Sequence, residues 1–259
     1  MNVKTELEMY GVVERRGVVP SDLIDRYVEF WHKQWVFDES YRPPEERDRL
    51  YLQHKEIRNV LLCDGISELF EELDLCLALH TDITYWRSPD TGWHFDSLDD
   101  NPNALGQYMG VWVALDDVDP DAGPFQYVPG SHRWNPTGEI TRESMAEECR
   151  RMMADEEHEV VTFLPKKGDV LMWNSKVIHR ASPPTVGRPR KGLLGHFANQ
   201  WSWSGAGVPP PRSEVAEVMR WDQTIRSHRK GWFKVPEGWG EIDYDTMLLS
   251  YTESGNMLT

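Results

Sequence analysis

His94 and Asp96 stand two residues apart in the stretch TGWHFDSLDDNP, residues 91–102. If that stretch is extended, side chains at i and i+2 leave the same face, so an imidazole and a carboxylate can meet at one point. They would be two members of a 2-His-1-carboxylate triad, which holds non-haem Fe(II) while leaving coordination positions open. Taken alone, the pair reads more simply as an acidic surface turn with a stray imidazole. The missing ligand should be a histidine from a distant strand. His179 fits, in GDVLMWNSKVIHRASPPTVGRPRKG (168–192), where a strand, a short turn and another strand bring one histidine to a strand end. A lone histidine is commonly a satisfied core residue. Here Arg190 follows it by eleven residues, beyond a turn containing Pro and Gly and at the start of the next strand. A guanidinium in that place can grip a carboxylate through two parallel hydrogen bonds. Arg188, two residues nearer the turn, is the alternative.

The elements that must position these residues change character along the chain. The first third reads as helical. Pro20-Ser21 is a start signal with Ser21 as N-cap, and Leu23, Ile24, Tyr27, Val28, Trp31 and Trp35 recur at helical spacing. A second helix is expected over 45–61 and a third over 66–73. From residue 75 the period becomes two, in LCLALHTDITYW. Further short strands follow at 110–115, 124–128, 159–164, 169–173, 176–180 and 192–198, separated by turn signals such as Pro129-Gly130 and Lys167-Gly168. One helix interrupts them, 144–157, opened by a Ser144-x-x-Glu147 capping box. A last helix is expected over 213–231. Many short strands of similar length point to a sandwich or jelly roll rather than a parallel α/β sheet. There is no internal repeat and no linker, which suggests one domain spanning 1–259: helical support (1–74), β core (75–200) and a C-terminal extension (201–259).

Composition bounds the partners. Acidic residues number 43 against 28 basic, a net charge of −15. That balance argues against a nucleic-acid backbone or an anionic membrane as the main partner and fits a small-molecule substrate. Cys63, Cys76 and Cys149 are few, odd in number and unpaired in spacing, which implies a reducing compartment. The N-terminal stretch lacks a signal-like apolar core and no apolar run spans a bilayer, so a cytoplasmic protein is expected.

Four segments taken together, HFD (94–96), GPFQYVPGSHRW (123–134), GDVLMW followed by VIHRAS, and RKGLLGHF (190–197), resemble the phytanoyl-CoA dioxygenase family. The resemblance runs over residues 75–200 in motif order and spacing. It implies a mainly β protein with flanking helices, a double-stranded β-helix of the jelly-roll, cupin-like kind. It also implies an Fe(II)- and 2-oxoglutarate-dependent dioxygenase that uses O2, with His94, Asp96 and His179 as iron ligands. Arg190 would pair with the far carboxylate of 2-oxoglutarate. Trp112 matches a tryptophan beside the cosubstrate, or is ordinary core filling. Ser182 falls one residue from a family hydroxyl that touches 2-oxoglutarate.

The segment TYWRSPDTGWH also resembles relatives that halogenate carrier-bound amino acids. Those carry a small residue at the carboxylate position; Asp96 is present here, so hydroxylation or another C–H oxidation is expected. His132 and His196 recur at family positions without being ligands. Arg87 would brace a strand from outside. Asp117, Asp119 and Asp121 lack the Gly and Glu of a calcium loop and form a turn. Tyr85, Trp86, Trp93, Trp201 and Trp203 either wall the barrel mouth or pack helices onto the barrel. No basic cluster for a CoA thioester is evident, which favours an amino-acid derivative or specialised metabolite. Two rivals remain: a non-catalytic jelly-roll binding protein, and a zinc hydrolase using the same three ligands, which would leave Arg190 and the PGSH segment without a role.

Overall fold

A computed structural model describes residues 1–34, 50–52, 54–73, 77–96, 108–137, 140–141, 143–185, 187–199, 218–220 and 232–234. Its core is a pair of facing sheets. The strands are β1 (Val12–Arg15), β2 (Leu77–Tyr85), β3 (Tyr108–Ala114), β4 (Phe125–Tyr127), β5 (Val161–Phe163), β6 (Val170–Asn174), β7 (His179–Ala181), β8 (Gly192–Asn199), β9 (Val218–Arg220) and β10 (Trp232–Lys234). The larger sheet runs β1-β6-β3-β8-β2-β10-β9 and the smaller β5-β4-β7. Nearly all pairings are antiparallel; β10 against β2 is parallel. This is a jelly roll, one of the two architectures that the strand pattern suggested, and the double-stranded β-helix that the family resemblance implied.

The larger sheet is buried on both faces, and the two-residue period decides which side chain goes where. Met109, Val111 and Val113 of β3, with Val170 and Met172 of β6, join a cluster with the helices. Their alternates Trp112, Ala114, Leu171 and Trp173 face the smaller sheet. Outside lie helices α1 (Val3–Tyr10), α2 (Ser21–Gln34), α3 (Lys55–Leu61) and α4 (Asp64–Glu72). Ile24, Tyr27 and Trp31 of α2, with Ile57, Val60 and Leu61 of α3, are almost wholly buried against that face, each large side chain contributing about 1.5–3 kcal/mol. Helix α5 (Met145–Asp155) covers the other outer face. Its Met145, Cys149 and Met152 pack on Phe95, Val128 and Ile178.

Several expectations need correction. α1 and β1 were not foreseen. Asn2 caps α1 by accepting from the Thr5 N–H, Gly11 ends it at a φ of 73°, and β1 adds an edge to β6. α2 begins at Ser21, and the carbonyl that accepts from Leu23 and Ile24 is that of Pro20, so the cap lies one residue earlier. Of the helix expected over 45–61, residues 35–49 are outside the described set and the rest is a 3-10 turn (Leu50–Leu52) followed by α3. Ser144 makes no cap bond; its hydroxyl accepts from the Thr141 N–H instead. Within the helix expected over 213–231, Val218–Arg220 is a strand pairing with Trp232–Lys234, and the remainder lies outside the described residues. No described helix is long and apolar enough to cross a membrane.

Candidate metal centre

After β2 the chain returns alongside β7. There His94 and His179 form an isolated antiparallel bridge, each N–H donating to the other's carbonyl at 3.0 and 2.8 Å. The Asp96 N–H donates to the Ser175 carbonyl at 2.8 Å, so the segment is extended, as the i, i+2 argument requires. Phe95 between them turns the other way, into the cluster beneath α5. His94, Asp96 and His179 each offer a ligand atom within 4.8 Å of the other two. Asp96 Oδ1 lies 3.9 Å from His94 Nε2 and 3.6 Å from His179 Nε2. An ion about 2.1 Å from each donor fits between them.

The protonation states suit a cation. His94 Nδ1 donates to the Gly92 carbonyl at 2.8 Å and His179 Nδ1 to the Val177 carbonyl at 2.9 Å. A carbonyl only accepts, so each Nδ1 carries the proton and each Nε2 keeps its lone pair for a metal. Burial pushes the His179 pKa down to about 4, against the pull of Asp96, so its ring is neutral at neutral pH. Burial pushes the Asp96 carboxyl up, but the His179, His196 and His94 rings and the Trp173 N–H outweigh it and hold it below its ordinary value. One carboxylate and two imidazoles, each with its Nε2 lone pair free, form a donor set suited to imidazole-loving divalent metals, iron among them.

Arg190 opens onto the same space between the sheets. It is 3 % exposed. Its backbone N–H donates to Trp86 and its Nη1 to the Gly123 carbonyl, both at 3.0 Å. Its guanidinium lies 5.3 Å over the Trp112 ring. Arg190 Nε and Trp112 Nε1 are both buried donors with no acceptor among the described residues. Burial lowers the Arg190 pKa to about 10, offset only in part by Tyr85, and no carboxylate compensates. A buried cation and a buried indole N–H left unsatisfied side by side are costly, and a bound carboxylate would satisfy both. Arg188 is not equivalent: it is exposed and paired with Asp119.

The sequence pattern of the family described as Phytanoyl-CoA dioxygenase (PhyH) matches residues 74–192. Over that span the chain is similar to the phytanoyl-CoA dioxygenase family. The matched span holds the triad, Trp112, Ser182 and Arg190. Among curated relatives, Dioxygenase easH of Epichloe festucae var. lolii is 32% identical over 95 residues, 35% of this chain and 44% of that protein. Phytanoyl-CoA dioxygenase domain-containing protein 1 of Danio rerio is 23% identical over 176 residues, 61% of this chain and 60% of that protein. The chain thus spans less than two thirds of either. Among solved structures, the epimerase SnoN in complex with Fe3+, alpha ketoglutarate and nogalamycin RO superposes with a TM-score of 0.59 at 21% identity, covering 77% of this chain and 83% of that one. At that identity the likeness speaks for the fold.

Other singled-out residues fall into place around this core. The Ser182 hydroxyl donates to the Pro124 carbonyl at 2.8 Å, which commits its proton to the loop. His132 is structural: it is buried against Gly11, its Nε2 meets the Glu8 carbonyl at 3.3 Å, and Arg133 Nη1 donates to the Met9 carbonyl at 2.7 Å. PGSHR therefore clamps the end of α1. Its Ser131 hydroxyl also accepts from the Ile178 N–H at 2.8 Å, next to His179. His196 Nδ1 is bonded to the Thr81 hydroxyl at 2.7 Å. Of the five aromatic residues at the mouth, Tyr85 packs between the sheets, Trp86 packs on the helices beside Trp31, and Trp93 packs under α5 and beneath Arg180, whose guanidinium is 4.4 Å from its ring. Trp201 and Trp203 lie outside the described residues. Arg87 is exposed. Asp117, Asp119 and Asp121 accept from Lys167, Asp121 and Thr185, as a turn should.

Sequence reasoning missed Trp173. Its Nε1 donates to Asp96 Oδ2 at 2.8 Å from the middle of β6, and the GDVLMW motif that ends in it was the available signal.

Proposed function

We propose that this chain is a single-domain Fe(II)- and 2-oxoglutarate-dependent dioxygenase that oxidises an unactivated C–H bond of a small molecule, by hydroxylation in the first instance. The observation that carries it is the joint presence of a two-imidazole, one-carboxylate cluster and a buried guanidinium with no counter-charge among the described residues. A zinc hydrolase would use the first and leave the second without a purpose. When bound, iron with 2-oxoglutarate supplies the oxygen chemistry: decarboxylation of the cosubstrate to succinate and CO2, coupled to oxidation of the substrate.

The chain's own residues do the rest. The Gly92 and Val177 carbonyls fix both imidazoles by their Nδ1 protons, so the Nε2 atoms are aimed before any ion arrives. Three protein donors on one face leave the opposite positions open. Arg190 and Trp112 present N–H donors to the distal carboxylate of 2-oxoglutarate, where low dielectric strengthens the pairing. Phe125, stacked on His179 at 5.0 Å, and Trp173, 5.3 Å from it, shield that imidazole from water. Asp96 occupies the position where halogenating relatives carry a small residue, which favours hydroxylation. We assign an amino-acid derivative or specialised metabolite as substrate class, in a cytoplasmic setting.

The test is anaerobic addition of Fe(II) and 2-oxoglutarate to the purified protein. A weak visible charge-transfer band is expected, lost in His179→Ala, together with succinate release stimulated by the right small molecule. A folded protein that shows no band, or a band that survives His179→Ala, would refute the assignment.

A further inference from the structure

Among the residues that touch the triad, Trp173 makes a contact whose consequence reaches beyond packing. It sits on the inner face of β6, 1 % exposed, with its ring 5.3 Å from that of His179 and 5.0 Å from that of Phe125. Its Nε1–H donates to Asp96 Oδ2, while Oδ1 is the oxygen that faces both imidazole Nε2 atoms. The indole reaches Asp96 across the neighbouring strand, where Gly110 is its register partner. A Cβ on Gly110 would lie 2.2 Å from the Trp173 ring. The absent side chain is therefore what lets the indole lie there. A similar close approach occurs one strand over: the ring of Trp112 of β3 lies over Gly192 of β8, two residues from its register partner Leu194, where a Cβ would be 2.2 Å from the ring.

We propose that Trp173, seated by Gly110, is a positioning residue that holds the Asp96 carboxylate in a single orientation, with Oδ2 tied to the indole and Oδ1 alone offered to the metal. The physical logic is that a free carboxylate at a metal can swing to chelate with both oxygens and close a coordination position. An N–H donor on one oxygen opposes that swing and pre-pays the ordering of the ligand. One position is thereby kept for the cosubstrate or oxygen.

The inference rests on the proposed metal site, so the experiment separates the two. Co(II), a spectroscopic stand-in, is titrated into metal-free protein, reading the dissociation constant and the ligand-field spectrum. If the wild type binds no Co(II), or if its Co(II) binding survives His179→Ala, the metal site itself is refuted. If the wild type binds and depends on His179, Trp173→Phe should keep the fold by near-UV circular dichroism, weaken Co(II) by about 10- to 100-fold and alter the ligand-field spectrum. Gly110→Ala keeps the indole but forces it off its seat, and should give the same loss. In the Gly110→Ala/Trp173→Phe double variant the smaller ring relieves the clash, so thermal stability should recover relative to Gly110→Ala while Co(II) affinity stays low. A purely structural Trp173 would instead restore both together. Folded Trp173→Phe with wild-type Co(II) affinity and spectrum overturns the proposal. If Trp173→Phe does not fold, Gly110→Ala binding Co(II) like the wild type overturns it as well.

Discussion

Replacing Arg190 by methionine separates the cost of its charge from its use. The guanidinium is buried with an Nη1 bond to Gly123 and no counter-charge among the described residues. Burial lowers its pKa from the ordinary guanidinium range to about 10; at about 1.4 kcal/mol per unit, burial of the charge costs roughly 3 kcal/mol. A group whose folded pKa is lowered in this way destabilises at every pH below the lower value. The cost is therefore full at neutral pH and relieved only as pH rises past about 10. Methionine removes that cost, loses a charged hydrogen bond of about 1.5–3 kcal/mol, and fills similar space. The metal-free, ligand-free variant should thus melt within a few degrees of the wild type, despite losing a wholly buried side chain. Its response to 2-oxoglutarate should be largely lost. Truncating one partner of a buried charge pair costs about 2–5 kcal/mol, or roughly 30-fold to several thousand-fold in affinity. With a saturating redox-inert metal and cosubstrate at about 100 times its wild-type dissociation constant, binding adds about 2.7 kcal/mol. For a chain of this length that is about 5–10 °C in melting temperature. The assay is thermal unfolding with and without 2-oxoglutarate. The wild type should shift, Arg190→Met should shift by at most about a third as much, and Arg188→Met, which touches only the exposed pairing with Asp119, should shift like the wild type. A full 2-oxoglutarate shift in Arg190→Met would refute the reasoning.

Two further perturbations test neighbouring contacts. Gly192→Ala places a methyl against the Trp112 indole and should weaken 2-oxoglutarate about tenfold or more in calorimetry while leaving Co(II) affinity unchanged; loss of both would mean a general collapse of the inner face. Burial takes the His132 pKa down to about 4, partly opposed by the Glu8 carbonyl. Its stabilising contribution is complete above the unfolded value of about 6.5 and drains as pH falls toward 4, up to about 3 kcal/mol. His132→Gln should therefore flatten the acid limb of the stability curve by close to one proton, as read by urea midpoints between those pH values; an unchanged slope would exclude it.

How much could be read from the chain depends on the range of the interaction involved. β2 was visible by its two-residue period, and β3, β6 and β8 as short apolar runs between turn signals, because strands buried on both faces read as nearly continuous apolar sequence. β1 was missed because Val12–Arg15 is too short to show a period; its reason to be a strand is β6, about 160 residues away. KVIHR was read as strand from Lys176, yet β7 begins at His179, because Val177 is held in a turn by the Asn174 carbonyl.

The sequence by itself determined the ligand types, their spacing and the strands that could carry them. His94 and Asp96 are two apart, and that is a local fact which an extended backbone turns into a shared face. Tertiary structure decided what no spacing contains. It set His94 against His179 through a backbone bridge, and it buried Arg190 while leaving Arg188 exposed and paired with Asp119. It also tied Asp96 to Trp173 across a glycine on a third strand. Each of these depends on which side chains meet across strands that are remote in the chain, and only the closed pair of sheets fixes that.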